Sequence, residues 1–185
     1  MLPDAPSGLI PSEIEAERVF DRVLEQCARS PLTREDVLRQ LKDGEAEVHS
    51  RLRYALAKEL SAYLGQLNAG FHGVYLYGSA MGDAASRYSD IDVIVVVEVR
   101  NDQTAALLAR LDLSLVSQYR DLVGTQSLPQ SLFDIRVIDE QDLAERDGYG
   151  AVVHGLYTCP VCLWRSTATS AGALRRESPR QSVLR

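Results

Sequence analysis

Residues 74–98 read VYLYGSAMGDAASRYSDIDVIVVVE. The stretch begins with a short alternating run, continues through a Gly-Ser pair and a ten-residue spacer, and ends with Asp-Ile-Asp and an unbroken apolar run. This order predicts a strand, a glycine-containing turn with a short connecting segment, and a buried second strand that carries two carboxylates. The rest of the chain is interpreted around these elements.

The two aspartates are the first candidates for chemistry. Side chains alternate between the faces of a strand, so Asp90 and Asp92 should project from the same face, one pleat repeat apart. Like charges at that spacing repel and raise each other's pKa, above all at the start of a run as apolar as residues 93–97. A divalent cation removes this repulsion, and Mg²⁺ with its oxygen ligands suits paired aspartates best. The pair therefore predicts a magnesium site.

The turn before the spacer contains Gly78 and Ser79. Backbone N–H groups and a hydroxyl at such a turn form a cradle of the kind that binds phosphate. An ordinary Gly-Ser turn is the alternative interpretation. Beside two carboxylates the phosphate cradle is favoured, and the combination indicates nucleotide chemistry.

The stretch resembles the nucleotidyltransferase superfamily that includes DNA polymerase β, whose signature is Gly-Ser, a spacer and Asp-x-Asp. The spacer and the short chain are most similar to the minimal nucleotidyltransferases that are often encoded beside HEPN-domain toxins. The predicted strands around the motif extend the resemblance over residues 46–165. It implies an α/β (α+β) fold of the polymerase-β type: a small mixed sheet flanked by helices, with an N-terminal helical extension.

The resemblance also implies a third aspartate on a strand beside the Asp-x-Asp strand, and Asp134 is the residue that matches. A lone acid between two apolar neighbours in a strand needs an explanation in its own right. Asp90, Asp92 and Asp134 are therefore the predicted metal ligands and catalytic residues, with Asp134 on the ion that activates the acceptor. Arg136 shares a face with Asp134 and would balance the carboxylates or bind a phosphate. An ion pair of these two residues that faces water is the alternative.

The implied reaction is in-line attack of an acceptor hydroxyl on the α-phosphate of a nucleoside triphosphate, most simply ATP, with release of pyrophosphate. Gly78 and Ser79 would hold the β- and γ-phosphates. Members of the family often carry a basic residue shortly after Gly-Ser, where this chain has Ala, Met, Gly and Asp at positions 80–83. Arg87 or Arg136 would have to compensate, and weaker nucleotide binding or an inactive site is the alternative.

The predicted acceptor is a hydroxyl of a partner protein. HEPN-associated relatives modify a tyrosine of their toxin, so the resemblance implies an antitoxin-like role with a HEPN-type toxin as partner. Transfer to a small molecule, as in aminoglycoside nucleotidyltransferases, is one alternative, although those enzymes carry a sizeable helical region after the catalytic domain and only twenty residues follow Arg165 here. A non-catalytic antitoxin or binding module is the other alternative.

Composition restricts the possible partners. The chain has 185 residues, 45% of them hydrophobic, and a net charge of −6. That is enough apolar material for a folded core, but the charge has the wrong sign for a protein whose main partner is a nucleic acid backbone. No apolar run approaches a membrane span and no secretory pattern is present. Three cysteines in this context favour reduced thiols and a cytoplasmic location.

Three segments are predicted: an N-terminal helical extension (residues 1–44), a nucleotidyltransferase domain (45–165) and a disordered basic tail (166–185). Capping patterns and apolar periodicity predict helices at residues 12–28, 33–42, 45–67 and 104–123. Besides the Asp-x-Asp strand, which runs to residue 97, strands are predicted at residues 74–77 and 132–138.

The end of the domain is less clearly patterned. The acidic residues 139–147 are predicted to form a helix, and the apolar residues that follow are predicted to complete the core: Val152, Val153, Leu156, Val161, Leu163 and Trp164. His154, Cys159 and Cys162 suggest zinc, but a structural zinc site needs four ligands and the other His and Cys residues have no matching spacing. Cysteines without a metal are the favoured interpretation.

Overall fold

The structure of the protein is a computed structural model that describes residues 13–29, 31–67, 70–124 and 130–167. The predicted helix start at Ser12 and all but the first two residues of the predicted tail lie outside these residues. The helices are α1 (Glu13–Cys27), α2 (Arg34–Asp43), α3 (Ala46–Gln66), α4 (Asp102–Val123), α5 (Glu140–Glu145) and α6 (Gly148–Val153). The strands are β1 (Phe71–Leu76), β2 (Ile91–Val97), β3 (Phe133–Asp139) and β4 (Val161–Arg165). A 3-10 helix, Gly78–Met81, follows β1.

The four strands form one sheet in the order β3-β2-β1-β4. β1 is antiparallel to both β2 and β4, whereas β2 and β3 are parallel. A parallel neighbour requires a long crossover, and α4 provides it between β2 and β3. The predicted mixed sheet with flanking helices is therefore confirmed at the level of α+β architecture.

Both faces of the sheet are covered. Alternate residues of β2 pack into the larger core, which the first four helices line, and they are Ile91, Val93, Val95 and Val97. Ile94 and Val96 face the other way and pack in a smaller cluster with Tyr75 and Ile138, next to side chains of α5 and α6. By the same alternation, Asp92 belongs to the face of Ile94 and Val96. The carboxylates thus lie at one end of the face that the two short helices cover in part.

The N-terminal helices belong to the larger core. Phe20 and Leu24 of α1 and Leu41 of α2 are buried in the same cluster as Leu52 and Leu56 of α3. Helix α2 begins at a capping box and ends at a glycine in the left-handed conformation, which fixes its length between two tight turns. Residues predicted as an extension therefore pack directly against the helix that leads into the sheet.

The elements after β3 differ most from expectation. The acidic helix is shorter than predicted, and α6 and β4 were not predicted as separate elements. Leu156, predicted to be in the core, is 59% exposed because it follows the end of α6 in a segment of turns. Trp164 does pack inward, so closely that a Cβ on Gly65 would lie 2.8 Å from its ring. No described helix combines the length and the apolarity that crossing a membrane requires.

Candidate functional site

Three aspartates meet at one end of the parallel strand pair. Asp92 of β2 is the register partner of Asp134 of β3, and Asp90 immediately precedes β2. Each contributes a carboxylate oxygen, and these oxygens all lie within 4.8 Å of one another. Asp90 is exposed, and the other two are half-buried. The structure thus brings together the three residues that the sequence singled out.

The electrostatics of this aspartate cluster are unfavourable for three free charges. Burial raises the pKa of the Asp92 carboxyl, and the charges of Asp90 and Asp134 raise it further. The Arg136 charge and a hydrogen bond from the Ser79 N–H act in the opposite direction. A hard divalent cation with oxygen ligands would neutralise such a cluster, so the donor set fits Mg²⁺.

The Gly78–Met81 turn is fitted to the aspartates. Gly78 has φ +76°, and a Cβ placed on it would lie 2.0 Å from Asp92 Oδ2. Only glycine fits there, since both the left-handed conformation and the close approach exclude a side chain. The Ser79 N–H already donates to Asp92, so this amide is not available to a phosphate as the sequence had suggested. Among the described residues the Ser79 hydroxyl has no hydrogen-bond partner, so it remains available to a ligand.

Arg136 forms an ion pair with Asp134, as one of its two interpretations predicted. Its Nη2 lies 2.8 Å from Asp134 Oδ2, and 46% of its side chain is exposed. Its guanidinium also lies 5.4 Å from the ring centroid of Tyr149. The ion pair therefore exists, but it is formed at the aspartate cluster, where Arg136 balances part of the negative charge.

Two tyrosines beside the cluster were not among the predicted site residues. Tyr77 directly precedes the turn, and its ring centroid lies 6.3 Å from that of Tyr149 in α6. Burial, followed by the Asp92 charge, raises the pKa of Tyr77 to about 12, so it stays a neutral hydroxyl. Because Tyr77 directly precedes Gly78, the sequence could have indicated that it lies near the site. No sequence pattern indicated that Tyr149 lies there.

The segment that leads into Asp90 is held by α3. The Ala85 N–H donates to Ser50 Oγ at 3.1 Å, and Arg53 donates to the Ser89 carbonyl from Nε at 3.0 Å and from Nη2 at 2.7 Å. Arg53 is 0% exposed. A forked pair of bonds from a rigid guanidinium fixes a carbonyl more firmly than a single donor could. The position of Asp90 therefore depends on a residue 37 positions earlier in the chain.

A buried histidine and a buried tyrosine complete this anchor. His49 Nε2 donates to the Leu41 carbonyl at 2.9 Å, which leaves Nδ1 as an acceptor for Arg53 Nη1 and for Tyr119 Oη, each 3.1 Å away. Burial, and then the Arg53 charge, lower the pKa of His49 to about 4, so the ring is neutral. Tyr119 Oη also lies 3.2 Å from the carbonyl oxygen of Arg87. We call these three side chains, Arg53, His49 and Tyr119, the buried anchor.

Sequence reasoning missed the buried anchor because its residues have the pattern of an exposed helix edge. His49 and Arg53 stand four positions apart, so they lie on the same face of α3, next to its apolar residues. Charged residues beside an apolar stripe usually lie at its solvent edge. Here the end of α2, the segment before Asp90 and Tyr119 of α4 contact these side chains, so both residues are buried.

β3 has its own anchor on α4. Asp112 Oδ1 accepts hydrogen bonds from the backbone N–H groups of Leu132 and Phe133, at 2.9 and 2.8 Å. Its Oδ2 accepts from the Ser131 hydroxyl at 2.6 Å. The chain is thereby fixed immediately before Asp134.

Arg87, one of the two predicted substitutes for a basic residue after Gly-Ser, is engaged elsewhere. Its Nη2 donates to the Lys42 carbonyl at 3.1 Å, at the end of α2, and packs against Gly44. Of the residues considered for zinc, His154 Nε2 bonds the Leu143 carbonyl at 2.9 Å, and Cys159 and Cys162 are exposed.

Comparison of this chain with protein-family models, with curated proteins and with solved structures found no match. The family resemblance of the Gly-Ser and Asp-x-Asp motif therefore stays a prediction, and the function has to be argued from the geometry described above.

Proposed function

We propose that this chain is a Mg²⁺-dependent nucleotidyltransferase of the polymerase-β type, which moves a nucleoside monophosphate, most simply AMP from ATP, to a hydroxyl of a partner protein. The observation that carries the proposal is the meeting of Asp90, Asp92 and Asp134 within 4.8 Å beside the Gly78–Met81 turn. Carboxylates from two adjacent strands and a glycine turn against one of them are the parts that phosphoryl transfer needs for positioning and charge balance.

The proposed step makes one bond and breaks one. The acceptor oxygen bonds to the α-phosphorus, and the bond from that phosphorus to the bridging oxygen of the pyrophosphate breaks, with the electron pair leaving on the pyrophosphate. The hydroxyl proton is accepted by the Asp134 carboxylate. Asp90, Asp92 and Asp134 would hold Mg²⁺, which when bound lowers the acceptor's pKa and offsets the phosphate charge.

The remaining site residues orient the reactants. The Ser79 hydroxyl would bind a phosphate oxygen, and Arg136, which balances Asp134, would bind an incoming phosphate at the exposed side of the site. Tyr77 and Tyr149 pair beside the aspartates, with ring centroids 6.3 Å apart, and would line one side of a bound substrate. Because Asp90 and Arg136 are open to solvent, a hydroxyl on a large partner can approach, which supports a protein acceptor.

The test is transfer of α-labelled nucleotide, with ATP, CTP, GTP and UTP assayed separately in Mg²⁺. The reaction contains host lysate and any protein encoded beside this one, and the matched control is Asp90→Asn/Asp92→Asn with its fold checked by circular dichroism. Label on a protein band that depends on both aspartates is the expected result. Label on a small-molecule fraction would instead indicate a nucleotidyltransferase of the antibiotic-modifying class. No transfer by the folded protein with its neighbour present would refute it.

A non-catalytic binding module is the second candidate, and one observation favours it. Arg136 already pairs with Asp134 at 2.8 Å, so part of the cluster is neutralised by the protein itself. This candidate predicts that the double aspartate variant still protects cells from a co-expressed toxic partner. The enzyme predicts that protection is lost while the protein stays folded.

A further inference from the structure

A cavity of about 760 Å³ lies between the N-terminal helices and the end of the Gly78–Met81 turn. Its walls come from three parts of the chain: the end of α1 with its connection to α2, the helix α3, and residues 80–83. Among the described residues that line it there is no member of the aspartate cluster. The cavity is therefore a separate feature, and its size is within the range of about 300–1,000 Å³ that binding clefts span.

Part of the lining is apolar and in contact with water. Met81 and Tyr54 both line the cavity, and they are 38% and 37% exposed. Pro31 and Leu32, from the connection between α1 and α2, contribute further apolar surface. Large apolar side chains that stay exposed in a concave surface are typical of binding sites. The cavity is therefore suited to a ligand that brings an aromatic or aliphatic side chain.

The charged part of the lining is basic, although the chain is acidic overall. The cations are Arg29, Arg51 and Lys58, and Asp83 is the carboxylate, in a chain of net charge −6. Arg51 pairs with Glu47, whereas within the described part of the chain no carboxylate lies within ion-pair distance of Arg29 or Lys58. All three cations are exposed, and charges of this kind decide the choice of partner and the rate of association more than they add affinity. We call this cavity the basic groove.

The walls of the basic groove are held together before any ligand arrives. Ser50 Oγ, on its α3 wall, accepts a hydrogen bond from the Ala85 N–H at 3.1 Å, which ties the segment after the turn to α3. The Lys58 ammonium lies 6.0 Å from the ring centroid of Tyr54, so positive charge and apolar surface adjoin on the same helix. Burial raises the pKa of the Cys27 thiol to about 11, so this lining residue is neutral and unreactive. A preformed groove loses less entropy on binding than a flexible one.

We propose that the basic groove docks a segment of a partner protein in which acidic residues flank an aromatic or aliphatic one. The apolar side chain packs on Met81 and Tyr54, and the neighbouring carboxylates pair with Arg29 and Lys58. A small anion would leave the apolar lining in water, and a nucleic acid would be repelled by the net charge of the chain. The inference does not depend on the chemistry at the aspartate cluster, because it concerns where a partner binds and not whether it is modified.

The experiment measures peptide binding to the intact chain without nucleotide or metal. Three short fluorescein-labelled peptides are titrated by fluorescence anisotropy: glutamates around a central phenylalanine, glutamates around a central serine, and lysines around a central phenylalanine. The first peptide should bind at least about 10-fold more tightly than the second, since only the first buries an apolar side chain. It should exceed the third by a similar factor, because like charges in an interface repel.

Two variants test the two halves of the basic groove. Arg29→Glu/Lys58→Glu and Met81→Ser should each weaken binding of the first peptide at least about 10-fold. The control is Arg18→Glu/Arg110→Glu, which reverses two exposed charges on α1 and α4 outside the groove and should match the wild type. All the altered side chains are exposed, and circular dichroism checks that each variant is folded.

The inference would be overturned by equal affinity for the three peptides, by no binding at millimolar peptide, or by wild-type affinity in either groove variant. Two further results would assign the groove to another occupant and refute the proposal. One is tighter binding of single-stranded RNA than of the acidic peptide, lost in Arg29→Glu/Lys58→Glu. The other is a dimer of this chain, detected by sedimentation, that Met81→Ser dissociates.

Discussion

The backbone of Gly78 lies against the Asp92 carboxylate, with room for a hydrogen but for no carbon: a Cβ there would be 2.0 Å from Asp92 Oδ2. The contact joins the turn after β1 to the start of β2, and the neighbouring Ser79 N–H donates to the same carboxylate. The turn and the aspartates are therefore one unit.

Gly78→Ala should disable this unit. The new methyl must displace Asp92, and the residue must keep φ +76°, a conformation that costs about 1 kcal/mol or more for a residue with a Cβ. We expect Mn²⁺ affinity, measured by electron paramagnetic resonance, to fall about 10- to 100-fold, as when the support of a metal ligand is lost. Gly82→Ala is the matched control, because a Cβ at Gly82 meets no atom within 4 Å. Equal affinity in the two variants would show that the contact has no role in ion binding.

Removing one charge from the aspartate cluster should stabilise the protein when no metal is bound. Asp92 is half-buried between Asp90 and Asp134, and Asn keeps an oxygen for the Ser79 N–H. We expect Asp92→Asn to raise the free energy of unfolding in EDTA by about 1 kcal/mol, a value discounted for solvent screening. Millimolar Mg²⁺ should stabilise the wild type and not this variant. Urea unfolding measures both, with Asp121→Asn, on the exposed side of α4, as the control that should change little.

Arg53→Lys should loosen the segment before Asp90. Lysine cannot make the forked pair of bonds to the Ser89 carbonyl or reach His49 and Tyr119 at the same time. The buried acceptors left behind predict a loss of about 3 kcal/mol in unfolding free energy. Faster tryptic cleavage after Arg87, under conditions where the variant is still folded, is the direct readout.

The control for this variant is Arg22→Lys, which changes an exposed arginine paired with Glu59. Surface pairs contribute little, so its cleavage pattern should match that of the wild type. If both variants are cut after Arg87 at the wild-type rate, the buried anchor does not hold this segment.

His49 makes stability depend on pH in a defined window. Its pKa is lowered to about 4 in the folded chain, beside Arg53, Tyr119 and the more distant Arg87 charge, whereas the unfolded chain has the ordinary value near 6.5. Below the unfolded value only the unfolded state takes up the proton, so stability is complete above that pH and falls as the pH decreases towards about 4. This residue alone should remove about 2 kcal/mol by about pH 5.

The measurement is the unfolding free energy of wild type and His49→Gln as a function of pH. Glutamine can donate to the Leu41 carbonyl and accept from Arg53, but it does not titrate. The variant should therefore lose less stability than the wild type between neutral pH and about pH 5. Parallel profiles would mean that His49 is protonated equally in both states.

The sequence predicted the aspartate cluster from two signals, the strand alternation that pairs Asp90 with Asp92 and the family resemblance that implied Asp134. The alternation of β2 and the acid inside β3 put Asp92 and Asp134 on one face, and parallel pairing then makes them register partners. The mixed sheet was implied by the family resemblance, and the structure shows a helical crossover, α4, between its two parallel strands. The family, the acceptor and the nucleotide are still predictions, since they rest on the motif alone.

What the sequence did not predict depends on contacts between distant segments. β4 is a five-residue strand that pairs with β1, and its residues alternate too weakly to be recognised. Arg53 was hidden because its burial depends on Tyr119 of α4 and on the segment before Asp90, which come from distant parts of the chain. When a distant element buries a residue, the sequence around that residue contains no pattern that indicates the burial.

β3 stands at one end of the strand order, with β2 as its neighbour in the sheet. Since Asp90 and Asp92 precede or belong to β2 and Asp134 belongs to β3, an ion shared among them would tie the outer strand to the interior one. Amide protons of β3 should then exchange with solvent more slowly in Mg²⁺ than in EDTA, while those of β1 should exchange alike in both. Metal binding at the aspartates would thus be detectable as slower separation of β3 from β2, measured by the exchange of the β3 amide protons.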